Sequence, residues 1–66
     1  MTTRPILMIE TAVRYTEYGF QVYPLIQGGK VPYRGSNGHL DASNNPEAVT
    51  ALFNKYGVQS NIGISL

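Results

Sequence analysis

Cysteine is absent from this chain, which excludes a disulfide framework and a thiolate zinc site as staples. The exclusion matters at a length of 66 residues. A domain of this size buries only roughly 60% of the surface its unfolded chain exposes, so its stability margin is thin. Charge is also scarce: 14% of residues are charged, and the formal net charge is +1. With 42% hydrophobic residues beside them, this argues against a disordered, self-repelling chain. It also supplies no global basic excess, so any basic patch for nucleic acid must be local. The serines and threonines are scattered, with no nucleophile elbow and no base beside them, and with a lone histidine this argues against a hydrolytic triad. No apolar run approaches the roughly 20 residues of a membrane span. The apolar stretch from Ile6 to Ile9 stops at Glu10, so no secretory segment is read. The expected location is the cytoplasm, without a membrane partner.

What is present alternates between two periodicities. Ile6, Ile9 and Val13 recur at helical spacing, with Ala12 beside them, and predict a helix from about Arg4 to Tyr18. Thr3 is its expected N-cap and Pro5 suits its first turn. Glu10 and Arg14 stand four apart, in the favourable order for a surface ion pair. Gly19 offers a left-handed cap. Phe20–Leu25 is aromatic and branched, a strand pattern in which Pro24 marks a strand end or an edge. Phe20 and Val22 are expected on one face, Tyr23 and Leu25 nearer the other. Residues 27–44 read as a long loop containing Gly28, Gly29, Pro32, Gly35 and Asn37-Gly38, and loops of this length are often functional. Asn45 can cap a second helix that starts at Pro46 and carries Glu47 in its first turn. Val49, Leu52, Phe53 and Tyr56 form its apolar stripe, Gly57 ends it, and a short strand runs from Ile62 to Leu66.

The expected architecture is therefore an α/β unit of order helix, strand, long loop, helix, strand. Its second half reads as β-α-β, which predicts two short parallel strands joined by a right-handed crossover. Two strands make a poor sheet, so the unit reads as incomplete, with an open edge.

Few residues can carry chemistry. Gly28-Gly29-Lys30 resembles a phosphate loop only loosely, because a P-loop would need glycine where Pro24 stands and Ser or Thr where Val31 stands. A looser reading survives: Lys30 and Arg34, with Tyr23 and Tyr33 nearby, contact a phosphate or a stacked base. The competing reading is a surface loop whose glycines serve its turns. His39 and Asp41 lie two apart, but a metal site needs three or four ligands, and Glu10, Glu17 and Glu47 add none at suitable spacing. Asp41 is expected to form a turn, and His39 to be solvated or to order the loop. The tyrosines at 15, 18 and 56 read as core-edge residues.

The order of these signals resembles the start of the bifunctional DNA primase/polymerase N-terminal domain, of the archaeo-eukaryotic primase superfamily. The residues that carry the resemblance are Ala12, Tyr15, Gly19, Phe20, Val22, Pro24-Leu25 and Gly29-Lys30-x-Pro32. They continue through Gly38-His39-Leu40-Asp41-Ala42-Ser43, Pro46-Glu47 and Asn61-Ile62-Gly63-Ile64. No single match is specific; the ordered set is. The resemblance implies that residues 1–66 are a single partial domain, the N-terminal part of a catalytic domain. In the complete domain, Mg or Mn on an Asp-x-Asp strand and a later acid supports nucleotidyl transfer, with single-stranded DNA and nucleotides as partners. That strand follows the Asn-Ile-Gly-Ile segment, so no catalytic residue, metal ligand or cofactor is assigned to this chain, which is expected to be inactive alone. His39 precedes the strand and does not match the family's later histidine. What the resemblance does imply is a supporting shell. Lys30 would face nucleotide or nucleic acid, Gly28 and Gly29 would give access, and Asn61 and Gly63 would shape the strand end beside the cleft. Two other readings stand beside it: a small nucleic-acid-binding module, and an interaction piece that self-associates through an open sheet edge.

Overall fold

The computed structural model describes residues 8–65. The expected N-cap Thr3, together with Pro5, Ile6 and Leu66, lies outside the described residues. The elements follow in the order α1 (Met8–Glu17), β1 (Gln21–Leu25), a 3-10 turn (Gly38–Asp41), α2 (Pro46–Tyr56) and β2 (Asn61–Ser65). Gly19, at φ +91, turns the chain from α1 into β1. At the other end of α1, the N–H groups of Met8 and Ile9 donate to Gln59 Oε1 and Val58 O, each at 3.1 Å. Those bonds tie the start of the described helix to the segment that leads into β2.

α2 is closed at both ends as its sequence predicts. Asn45 Oδ1 accepts from the N–H of Glu47 at 2.9 Å and of Ala48 at 3.4 Å, and Pro46 takes the first turn, where its missing N–H costs nothing. The Gly57 N–H donates to Phe53 O at 2.7 Å. The apolar stripe then does the packing. Val49 and Phe53 are fully buried against Ala12 of α1 and Val22 of β1, with Ile9, Tyr15, Leu52 and Ile62 around them. Fully burying a side chain such as Phe53 stabilises the fold by about 1.5–3 kcal/mol. Both helices thus cover one face of the sheet, the face of Val22, Pro24 and Ile62. By strand alternation the opposite face carries Gln21, Tyr23, Leu25, Asn61, Gly63 and Ser65. Phe20 does not join the Val22 face; it lies outside β1, is 45% exposed, and meets the edge of Tyr15 with ring centroids 6.2 Å apart.

The parallel sheet expected from the β-α-β order is not what forms. β1 and β2 are antiparallel, with Gln21 opposite Ser65, Tyr23 opposite Gly63 and Leu25 opposite Asn61. The reason lies in the intervening loop. A crossover helix yields a parallel strand only if it starts at the C-terminal end of the first strand. Here the loop makes the return journey instead: Ser43 lies antiparallel to Val22, exchanging N–H···O bonds of 2.9 and 3.0 Å with it. α2 therefore begins near the start of β1, runs toward its end, and delivers β2 there pointing backward.

The same loop closes the outer edge of β1. Besides the Ser43 pair, Leu25 bridges Pro32, and the Ile26 N–H donates to Val31 O at 2.8 Å. Since Val22 turns its backbone groups to Ser43, Pro24, two residues on, presents its nitrogen to the same side. Proline thus sits inside β1, at its edge and without a lost ladder bond to β2. Among the described residues, no strand pairs with the far edge of β2.

Candidate nucleic-acid interface

The segment 26–31 is a tight reversal. The Gly29 N–H donates to Ile26 O at 2.8 Å, and Gly28 takes φ +72, a conformation that residues with a side chain seldom adopt. Turn geometry alone thus accounts for Gly28, as the plainer reading of the glycines proposed. Lys30 follows on the exposed side of this turn. The turn is anchored from a distance in sequence: Asn61 Nδ2 donates to Gly29 O at 2.6 Å, while Asn61 Oδ1 accepts from the Ile62 N–H at 3.0 Å. One amide therefore fixes the loop to the first residue of β2. The fold brings Gly28, Gly29, Lys30 and Asn61 into one neighbourhood through the Asn61–Gly29 bond.

Gly63 stands two residues further along the same strand face. Its cross-strand partner is Tyr23, whose ring lies across it. A Cβ built on Gly63 would meet that ring at 2.6 Å, well inside contact distance. Gly63 is thus required by the close approach of Tyr23, whatever else it borders. The Tyr23–Gly63 pair could not be read from the sequence, because it depends on the antiparallel register.

Arg34 occupies a second turn, separate from that of Lys30. The Ser36 N–H and Ser36 Oγ both donate to Tyr33 O, at 3.0 and 2.8 Å, and Arg34 is exposed between them. Tyr33 holds this turn to the body of the protein. Its hydroxyl lies 2.5 Å from Ser60 Oγ, and its ring stacks on Tyr56 at 5.2 Å and 16°. Lys55 Nζ sits 5.2 Å from the Tyr56 ring centroid, a cation–π contact. Tyr23 and Tyr33, expected to stand ready for a stacked base, are each engaged on one ring face by the protein itself. Ser60 is almost fully buried and was not singled out from sequence; its Oγ also donates to Gly57 O at 2.6 Å.

Asp41 forms the turn expected of it. Its carboxylate accepts from the Asn37 N–H at 3.0 Å and from Asn37 Nδ2 at 3.2 Å. His39 is exposed beside it. Among the described residues, no group of three or more His, Asp or Glu side chains is placed to hold a metal ion. The described residues thus do not fit the Mg or Mn that the resemblance implies for a complete domain. Surface grooves lie elsewhere: one is lined by Ile9, Glu10, Val13, Arg14 and Thr50, another by Asp41, Ala48, Ala51, Leu52 and Lys55. Neither includes Gly28, Gly29, Lys30, Arg34, Asn61 or Gly63; of these, Gly28, Lys30 and Arg34 are exposed, Gly29 and Asn61 half-buried, and Gly63 buried. No described helix is long and apolar enough to cross a membrane.

No curated protein and no solved structure matches the chain significantly. A family model, that of the bifunctional DNA primase/polymerase, N-terminal, matches residues 12–66. The match opens at Ala12, the residue where the resemblance in sequence also opens, and takes in both anchored turns, α2 and β2. The chain belongs to the bifunctional DNA primase/polymerase N-terminal family.

Proposed function

We propose that this chain serves DNA replication as part of a primase/polymerase catalytic domain. In this reading it supplies the surface that meets the phosphates of single-stranded DNA or of an incoming nucleotide, with Lys30 and Arg34 as the contacting cations. Gly28 and Gly29 let the backbone approach, and Asn61 fixes the turn. The carboxylates for Mg or Mn come from outside this chain, so the chain alone does not join nucleotides. One observation carries the reading: the 2.6 Å bond from Asn61 to Gly29, which holds an exposed lysine turn at the sheet end within a chain of this family. A cation on a held turn loses less freedom on binding phosphate than one on a free loop. Lys30 and Arg34 are both exposed on turns, open to an extended phosphate backbone.

Fluorescence anisotropy of a labelled oligonucleotide, measured across salt concentrations, tests the contact. Binding is expected to weaken with salt and to weaken further in Lys30→Ala and Arg34→Ala. Affinity unchanged by both substitutions overturns the assignment. Primer extension by the purified chain with Mg or Mn tests the second part, and any elongation refutes it.

The far edge of β2 favours a second reading, a module that pairs with another protein or with itself. Strand β2 contains neither proline nor a charged residue, and Ile64 is 38% exposed, so little on it opposes a further strand. Sedimentation over a range of concentrations separates the two: a dimer that dissociates on dilution supports the second reading, and a monomer throughout excludes self-pairing.

A further inference from the structure

Asn37-Gly38 is the sole Asn-Gly step in the sequence. At such a step the backbone nitrogen of the second residue can attack the side-chain carbonyl carbon of the first, and glycine has no Cβ to crowd the approach. Asn37 is exposed, and Gly38 takes φ +58 in the turn that follows it. The Asn37 side chain is held by one bond, from Nδ2 to Asp41 Oδ1 at 3.2 Å, and that bond is itself exposed. We infer that Asn37-Gly38 is a self-modification site, converting in the folded chain to aspartyl and isoaspartyl forms, and that Asp41 restrains the conversion. Gly38 N bonds to Asn37 Cγ and loses its proton. The Cγ–Nδ2 bond breaks, and nitrogen departs with that proton as ammonia. Solvent water then opens the cyclic imide at either carbonyl, giving an α- or a β-linked aspartate.

The other asparagines are poorer candidates for stated reasons. Asn45 precedes Pro46, which has no N–H, and its Oδ1 caps α2. Asn61 has both side-chain polar atoms engaged. Asn44 and Asn54 precede residues with side chains. Conversion replaces an amide donor by a carboxylate facing the carboxylate of Asp41, a like-charge pair that opposes the clasp. It also takes the formal net charge from +1 to zero.

The test follows the full chain at mildly alkaline pH by mass spectrometry. The tryptic peptide from Gly35 to Lys55 contains Asn37, Asn44, Asn45 and Asn54, so three asparagines act as internal controls. A gain of a single mass unit is expected at residue 37 alone, absent in Asn37→Gln. The native chain is expected to convert several-fold more slowly than the same chain in denaturant, and Asp41→Ala to close most of that gap. Should Asp41→Ala lose its native circular dichroism, Asp41→Leu, of similar size and without an acceptor, replaces it with the same expectation. Asn37 intact in the native chain after the denatured chain has converted, or equal gain at Asn44 or Asn54, overturns the site. Equal rates for the native wild type and the Asp41 variant overturn the restraint.

Discussion

The two faces of the small sheet are built on different terms. On one, Val22 and Ile62 meet Ala12, Val49 and Phe53, and what counts is volume and apolarity. On the other, Tyr23 lies over Gly63 and Asn61 reaches Gly29, and what counts is one particular atom against another. The first face supplies the stability of the fold. The second fixes where the Lys30 turn sits, and it is the face on which the proposed contact with phosphate depends. Stability and position are therefore separable here, and substitutions should separate them.

Phe53→Ala should have the largest effect. It empties a fully buried site, at a cost of about 3–5 kcal/mol, comparable with the whole stability of a small domain. Loss of a cooperative thermal transition by circular dichroism is the expected result; an unchanged midpoint would contradict the packing described. Gly63→Ala comes next, at about 1–3 kcal/mol, because its methyl group enters the Tyr23 ring. Tyr23→Ala in the same chain should recover part of that loss, and a purely additive pair would mean that the ring is not what the methyl meets. Asn61→Ala should cost about 1 kcal/mol, since Gly29 O loses its donor. Hydrogen exchange should then accelerate at the amides of the turn while those of α2 keep their protection. Smallest in stability is Lys30→Ala, expected to stay within about 0.5 kcal/mol of wild type. Its effect should fall on binding, lowering the salt slope for single-stranded DNA by about 1. A large stability loss for Lys30→Ala would erase the distinction between the faces.

The helices were legible because their signals are local. Asn45-Pro46-Glu47 names a helix start through groups two or three residues apart, and the spacing of Val49 and Phe53 names the buried side without reference to any other element. The direction of β2 was not legible. It depends on where residues 27–44 travel, and glycines, prolines and asparagines mark turns without saying which strand the chain passes beside. Once Ser43 returns to Val22, an antiparallel strand follows from chain length and direction. That Asn61 meets the turn before Lys30 is likewise a tertiary fact, since a bond across 32 residues leaves no local signal. The need for a missing Cβ at Gly63 arises from Tyr23, forty residues earlier, and appears only with the register.

That register has a consequence for how the chain settles into its fold. Successive residues of a strand point to opposite faces, so a slip of one position along β2 would swing Asn61 away from Gly29 and set a branched isoleucine under the Tyr23 ring. Both errors are penalised at once, by a stranded carbonyl and a steric clash, although neither residue contributes to the oily interior. A glycine and an amide thus act as a proofreading pair: only the correctly registered strand pair can seat the basic turn.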